Sequence, residues 1–93
     1  MILVGIDIGK NQHTFSIIDK GTGEILSNPS VFYNNQEGFL LLIKKLNSYA
    51  KSDLLIGMED TGHYHFALLK YLLDSRYTVA LINPTTTDLT RKL

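Results

Sequence analysis

Two short apolar segments constrain the fold of this chain most, because each has the length of a buried strand and each ends in an acid. The first is ILVGID, Ile2–Asp7, and the second is LLIGME, Leu54–Glu59. In both segments a glycine lies two positions before the acid, so the glycine and the acid share one face of the strand. If the two strands are parallel neighbours, about 4.8 Å apart, Asp7 and Glu59 lie side by side at their carboxyl ends.

Two neighbouring carboxylates favour a bound divalent cation. Unpaired carboxylates at this separation repel each other and are costly to bury. Mg²⁺ or Mn²⁺ would turn the pair into a ligand set, because these hard cations prefer oxygen donors. A simple capping role at the strand end is the alternative for Asp7. The apolar strand around it and the matched Gly5 and Gly57 favour the metal-ligand interpretation.

The composition of the chain limits the classes of protein to which it can belong. Its 93 residues are 44% hydrophobic and 19% charged, as in an ordinary globular domain. Nine acids balance nine bases, so the chain as a whole has no basic field that would attract a nucleic acid. The absence of cysteine excludes disulfides and thiolate metal sites and suits a reducing cytoplasm. We expect a cytoplasmic protein without membrane contact, since no apolar stretch approaches the ~18 residues of a span and Asp7 interrupts any signal-peptide core.

The segments that follow the first acid predict two more strands and a helix. Gln12–Asp19 alternates in polarity and predicts a hairpin partner for the first strand. Residues 24–33 contain Pro29, which cannot donate to a sheet ladder, so they predict an edge strand. Asn34 is the expected N-cap of the first helix, with Glu37 three residues later in the manner of a capping box.

A second helix and a last strand are predicted after Glu59. The helix is expected to begin at Gly62 or His63 and to end at Asp74. Its expected inward residues are Phe66, Leu69, Leu72 and Leu73. Residues 77–82 predict a strand that Asn83-Pro84 ends, and residues 85–93 predict a helix cap and the first turn of a helix.

This order of elements predicts an α/β domain with one mixed sheet. Three antiparallel strands are followed by two right-handed crossovers, which add parallel strands on the far side of the first strand. The expected strand order is 3-2-1-4-5, with helices on the faces and with the first strand covered on both sides. This is the ribonuclease H-like arrangement. It brings Asp7 and Glu59 to the rim where open α/β sheets bind ligands.

Four segments of the chain together resemble a known family. They are GIDIGK at residues 5–10, Asn-x-x-Gly-Phe at residues 35–39, GMEDTGHY at residues 57–64 and Ile-Asn-Pro at residues 82–84. In them the chain resembles the N-terminal part of DEDD transposases, the RuvC-like transposases of the insertion-sequence family numbered 110 and grouped with 116 and 902. The resemblance covers essentially the whole chain, and the acid-x-Thr-Gly-x-Tyr pattern is its most specific piece.

The resemblance implies a catalytic role for the two acids. Residues 1–93 would be the N-terminal part of a RuvC-like domain that continues to the last two acids of the family's Asp, Glu, Asp, Asp set. Asp7 and Glu59 match the first two and are therefore the implied catalytic residues and metal ligands. The implied activity is metal-dependent DNA strand cleavage and transfer, with two Mg²⁺ or Mn²⁺ ions in the complete site. DNA and a guide RNA are the implied partners, and a homo-oligomer is expected for the full-length protein. From the 93 residues alone we expect weak metal binding and no turnover.

Residues near the acids are further candidates for nucleic-acid contact. Lys10 and the backbone amides of Thr61 and Gly62 lie where a phosphate could bind, and Tyr64 could stack on a base. Each also has an ordinary role in a turn or in packing. Asp60 is expected to cap the second helix. His63 and His65 lack the i, i+4 spacing of zinc-binding helices.

Two other functions stay open from the sequence. Sugar kinases and actin-like ATPases also begin with a strand ending in Gly-x-Asp-x-Gly, and their acid organises magnesium-ATP. They need a second glycine-rich phosphate loop and an adenosine-binding segment, and neither is visible in this sequence. A non-catalytic assembly module is the third possibility. The kinase-like alternative predicts ATP affinity, whereas a transposase predicts none. An assembly module predicts an altered oligomer size in Asp7→Ala, whereas a metal ligand predicts lost manganese binding with the fold intact.

Overall fold

The computed structural model describes residues 1–82 as one sheet with two helices. Its strands are β1 (Ile2–Asp7), β2 (Gln12–Asp19), β3 (Ile25–Tyr33), β4 (Leu54–Glu59) and β5 (Val79–Ile82). Its α-helices are α1 (Gln36–Leu46) and α2 (Phe66–Asp74), and a single 3-10 turn, Lys51–Asp53, precedes β4. The predicted helix start at residues 85–93 lies outside the described residues. Neither α1 nor α2 is long and apolar enough to cross a membrane.

The sheet has the order β3-β2-β1-β4-β5, which confirms the predicted topology. β1 pairs antiparallel with β2 and parallel with β4, and β2 and β3 are antiparallel while β4 and β5 are parallel. The strand that contains Pro29 lies at the edge, where a missing backbone donor costs least. The two acid-ended strands, β1 and β4, are therefore neighbours in the middle of the sheet.

The hydrophobic core lies on one face of this sheet, under both helices. Alternate residues of the strands point into it, as the period of two requires. The strand residues of the core are Ile2, Val4, Ile6, Phe15, Ile17, Phe32, Leu54, Ile56 and Met58. The helices contribute Phe39, Leu42, Leu46, Leu68 and Leu72, and Tyr77 adds to them from the approach to β5.

The opposite face of the sheet is more open. Its residues on the central strands are half-buried or exposed, and within residues 1–82 no helix packs on them. The expectation that β1 is covered on both sides is thus met on one side by the described residues. Gly5, Asp7, Gly57 and Glu59 all belong to the open face, because the buried positions of β1 and β4 are the alternate ones.

Helix α1 begins one residue later than predicted. Asn35, not Asn34, is the N-cap, and its side chain accepts a hydrogen bond from the amide of Gly38 at 2.8 Å. Asn34 is held instead by the turn after β1, since its side-chain amide donates to the carbonyl of Lys10 at 3.1 Å. The capping box with Glu37 is therefore wrong, because the third helical position is Gly38.

Helix α2 also begins later than predicted, at Phe66 rather than at residue 62 or 63. Gly62 has a φ of +86°, which belongs to a turn and not to a right-handed helix. The buried residues of α2 are Leu68 and Leu72, four positions apart, and Leu69 is half-buried beside them. Phe66 and Leu73 are exposed, so the prediction that they face inward is wrong.

Candidate metal and nucleic-acid site

The pairing register of β1 and β4 brings the two predicted ligands together. Gly5 lies opposite Gly57, and the next residues, Ile6 and Met58, are also paired. Asp7 and Glu59 each follow one position later, so they end neighbouring parallel strands at the same level. Both side chains point to the open face, since the buried residues of each strand alternate with them.

Asp7 and Glu59 line one open cleft of about 570 Å³. The two glycines lie in the same cleft below the acids, and residues of β2, β3 and β5 complete its walls. These wall residues include Thr14, Ser16, Pro29 and Ile82. Both acids are exposed to solvent, and neither forms a salt bridge within residues 1–82.

The donors at this rim suit a hard cation but do not complete its coordination. They are carboxylate oxygens, the ligand type that Mg²⁺ and Mn²⁺ select. Among residues 1–82 there is no group of three or more His, Cys, Asp or Glu side chains that could enclose a metal ion. A divalent ion bound here would take two carboxylates from the described residues and fill its other positions with water or with other groups.

The turn after Asp7 is closed by a buried histidine. The amide of Gly9 donates to Nδ1 of His13 at 3.1 Å. The side chain of His13 is 1% exposed and packs against the ring of Phe32. Gly9 is required in this turn, because a Cβ there would collide with the carbonyl oxygen of Gln12.

Burial lowers the pKa of His13 below its usual value of 6.5. The Asn34 side chain acts in the opposite direction, since it favours the protonated ring, but desolvation is the larger effect. Nε2 of His13 and Oδ1 of Asn34 are both buried without a hydrogen-bond partner among the described residues. His13 is thus a neutral imidazole that accepts through Nδ1 and carries its proton on Nε2.

The turn after Glu59 is closed in the same way. The amide of Thr61 donates to Nδ1 of His65 at 3.3 Å, and the Thr61 hydroxyl lies 3.2 Å from the same nitrogen. His65 is also 1% exposed. Asp60 accepts from the amide of Gly62 at 3.1 Å, and its carboxylate lies 3.7 Å from Nε2 of His65. Asp60 therefore closes the turn that precedes α2 and does not cap the helix as predicted.

The sequence profile of a DEDD transposase family of the insertion-sequence 110 type, described as "Transposase", matches residues 4–93. The chain belongs to this transposase family. Among curated protein sequences, none matches the transposase chain significantly.

Solved structures share the fold of this transposase at low sequence identity. RuvC from Thermus thermophilus, in complex with a Holliday junction substrate, has a TM-score of 0.64 at 12% identity. The alignment covers 91% of the transposase chain and 66% of RuvC. The fowlpox virus Holliday junction resolvase has a TM-score of 0.56 at 17% identity, with 91% and 62% covered. YeaZ from Pseudomonas aeruginosa has the same TM-score at 13% identity, with 88% and 42% covered. The transposase chain thus spans less than two thirds of the length of these structures.

The four further candidates of the transposase chain lie around the two turns. Lys10 is exposed beside Asn11 at the tip of the first turn, and Gly62 is exposed in the second. Thr61 is half-buried and holds His65 through two atoms. Tyr64 is 41% exposed and lies edge-on to His63 at a centroid distance of 4.9 Å, so it is not packed under the turn.

Sequence reasoning missed the hydrogen bonds by which His13 and His65 close the two turns. One signal in the sequence marks both: each histidine lies six positions after its acid, Asp7 or Glu59. The spacing alone does not predict a contact. It becomes interpretable only when the structure shows the amide two positions after the acid donating to the histidine ring.

Proposed function

We propose that Asp7 and Glu59 are two metal ligands of a site that cleaves and transfers DNA strands during insertion-sequence transposition. One observation carries this proposal: the glycine-to-glycine register of β1 and β4 puts both acids at one rim of one cleft. Residues 1–93 would then be the N-terminal part of the catalytic domain. Membership of a transposase family and the likeness in fold to Holliday junction resolvases support this function.

Each residue of the cleft has a distinct task in this proposal. Bound Mg²⁺ or Mn²⁺, two ions in the complete site, would supply activation of the attacking oxygen and stabilisation of the leaving one. Asp7 ends the central strand and would contact both ions, whereas Glu59 would hold one. The bare backbone at Gly5 and Gly57 leaves room for a phosphodiester below the acids. The two remaining acids of the family's set would come from outside residues 1–82.

The partners in this proposal are DNA and a guide RNA, bound by a homo-oligomer of the complete protein in the cytoplasm. The net charge of zero means that this chain adds no general attraction to a polyanion. Contacts to nucleic acid must then be local. Lys10 and Tyr64 are suited to them, because both are exposed in the two turns. The amides of Thr61 and Gly62, predicted as phosphate donors, already donate to His65 and Asp60.

Mn²⁺ binding to the 93-residue chain tests this proposal. Mn²⁺ broadens the NMR signals of nearby amides, so a titration reports both the site and the half-saturating concentration. We expect weak binding with broadening centred on the ends of β1 and β4, and its loss in Asp7→Asn and in Glu59→Gln. Asp53→Asn is the matched control, because Asp53 is an exposed acid at the opposite end of β4. Broadening that persists unchanged in both site variants would refute the proposal.

The complete protein gives the second readout. Asp7→Asn and Glu59→Gln should abolish Mn²⁺-dependent DNA strand cleavage there, while the 93-residue chain shows no turnover. Cleavage that survives either substitution at the wild-type rate would exclude that acid from the catalytic set.

A further inference from the structure

Both acid-ended central strands lead into turns with the same hydrogen bond. The amide two positions after the acid donates to Nδ1 of a histidine six positions after the acid. For Asp7 this pair is Gly9 and His13, and for Glu59 it is Thr61 and His65. The two turns share no sequence pattern apart from this spacing. The same amide-to-histidine hydrogen bond therefore occurs twice, once in the turn after each proposed metal ligand.

Two other acids of the same chain show what happens where no histidine accepts from the amide two positions ahead. Asp19 ends β2, and its carboxylate accepts from the amide of Gly21, two positions on, at 2.8 Å. Asp60 accepts from the amide of Gly62, again two positions on, at 3.1 Å. Such turns, in which an acid binds the amide two residues ahead, are a common local preference of aspartate. In both cases the carboxylate is held by its own turn.

We propose that His13 and His65 are positioning residues, which occupy the amides of Gly9 and Thr61 and so keep the carboxylates of Asp7 and Glu59 free for metal in the cleft. This inference rests on the proposed function of the two acids. It adds two residues that form no hydrogen bond with either acid and that act through the backbone of the turns.

Burial of the two histidines favours their hydrogen bonds to the turn amides. Each histidine is 1% exposed, so its ring has one orientation fixed by packing, and the lone pair of Nδ1 needs a donor. The amide at the acid-plus-two position is that donor in both turns. A carboxylate that competed for the amide would leave the buried Nδ1 of His13 without a partner among the described residues, and that of His65 with the Thr61 hydroxyl in place of two donors. Losing a buried hydrogen bond costs more than an exposed carboxylate loses by staying in water. The competition is therefore decided in favour of the histidine.

The test compares two replacements of each histidine in the 93-residue chain, with Mn²⁺ as the probe. His13→Leu and His65→Leu remove the acceptor and release the amide. His13→Asn and His65→Asn keep an acceptor, since the asparagine oxygen reaches nearly the position of Nδ1. We expect the half-saturating Mn²⁺ concentration to rise about tenfold in the leucine variants, the usual effect of losing an outer-shell partner, and to stay near the wild-type value in the asparagine variants. His63→Leu is the control, because His63 is an exposed histidine of the same turn.

A second readout reports the hydrogen bond directly and needs no substitution. In the wild type, NMR should detect a through-bond coupling between the amide nitrogen of Gly9 and Nδ1 of His13, and between Thr61 and His65. In the leucine variants the released amides should shift toward the positions of Gly21 and Gly62, which bind carboxylates. If leucine prevents folding, glutamine replaces it, because its amide group reaches the Nε2 position and leaves Nδ1 without a substitute.

The outcomes separate this inference from the proposed function. Unchanged Mn²⁺ binding in the leucine or glutamine variants, together with lost binding in Asp7→Asn and Glu59→Gln, overturns the positioning role alone. Equal weakening by leucine and asparagine also overturns it, since the acceptor would then be irrelevant. Unchanged Mn²⁺ binding in the acid variants overturns both proposals.

Discussion

An alanine at Gly57 should stabilise the fold while it obstructs the cleft. A Cβ at this position would lie 3.9 Å from Cδ1 of Ile82, and one at Gly5 would lie 3.8 Å from Oγ of Ser16. Both distances are ordinary van der Waals contacts, so neither methyl group needs any neighbour to move. Glycine inside a strand is less stable than alanine by roughly 0.5–1 kcal/mol, because it loses more backbone freedom on folding. Each substitution should therefore raise the free energy of unfolding by about this amount.

The size of the effect is measurable by thermal or urea unfolding followed by circular dichroism. For a domain of this length, a change of 1 kcal/mol shifts the midpoint by about 4–8 °C, so each variant should melt roughly 2–8 °C higher. Gly38→Ala is the contrasting control, since a Cβ there would collide with the backbone of Tyr33. That variant should be destabilised.

The same methyl groups should weaken the site. They project from the cleft floor directly below Asp7 and Glu59, because all four residues share the open face. In the complete protein, Gly57→Ala should reduce DNA strand cleavage although the fold is more stable. A loss of stability in Gly5→Ala and Gly57→Ala would refute the reasoning, because it would show that folding itself requires glycine at these positions. Full cleavage by a stabilised Gly57→Ala would show that no substrate approaches the cleft floor.

Three further predictions follow from the described contacts. Asn35→Ala should lower the free energy of unfolding by about 1 kcal/mol, the usual cost of an N-cap, whereas Asn34→Ala should leave the capping of α1 intact; urea unfolding measures both. The folded-state pKa of His13 lies below 6.5, so the unfolded chain binds its proton more readily. Stability should then be complete above pH 6.5 and fall below it by at most about 1.4 kcal/mol per pH unit, and this slope should flatten in His13→Asn. ATP added at a constant concentration of free Mg²⁺ should produce no further shifts in the NMR spectrum; ATP-dependent shifts centred on Asp7 would favour the kinase-like alternative instead.

The topology and the pairing of the acids could be predicted from the sequence because both depend on strand periodicity. Apolar runs of five residues, each followed by an acid, define β1 and β4, and Pro29 assigns β3 to the edge. The matched glycines then fix the register, since a shift by one residue would turn one acid into the core. Strand periodicity and register do not depend on the details of side-chain packing, so both can be predicted.

The helix starts and the histidine roles could not be predicted, because they depend on turn geometry and on hydrogen-bond partners that residue type and periodicity do not specify. Asn34 is a good N-cap by residue type, but its amide is used by the carbonyl of Lys10 across 24 positions. Similarly, the alternation of a strand indicates only which face a histidine belongs to. It does not indicate which amide will donate to the ring nitrogen. His13 shares the buried face of β2 with Phe15 and Ile17, and only the turn geometry gives it a partner.

The separation of core and cleft explains how a small chain can hold two like charges together. Burial supports the fold from one face only, where Val4, Ile6, Ile56 and Met58 pack under the helices. Asp7 and Glu59 occupy alternate positions on the other face, exposed to water that screens their repulsion. The two acids that repel each other are therefore not among the residues whose burial stabilises the sheet. Because the hydrophobic core does not include the acids, the chain can fold before it meets a metal ion, and the rim stays open to solvent.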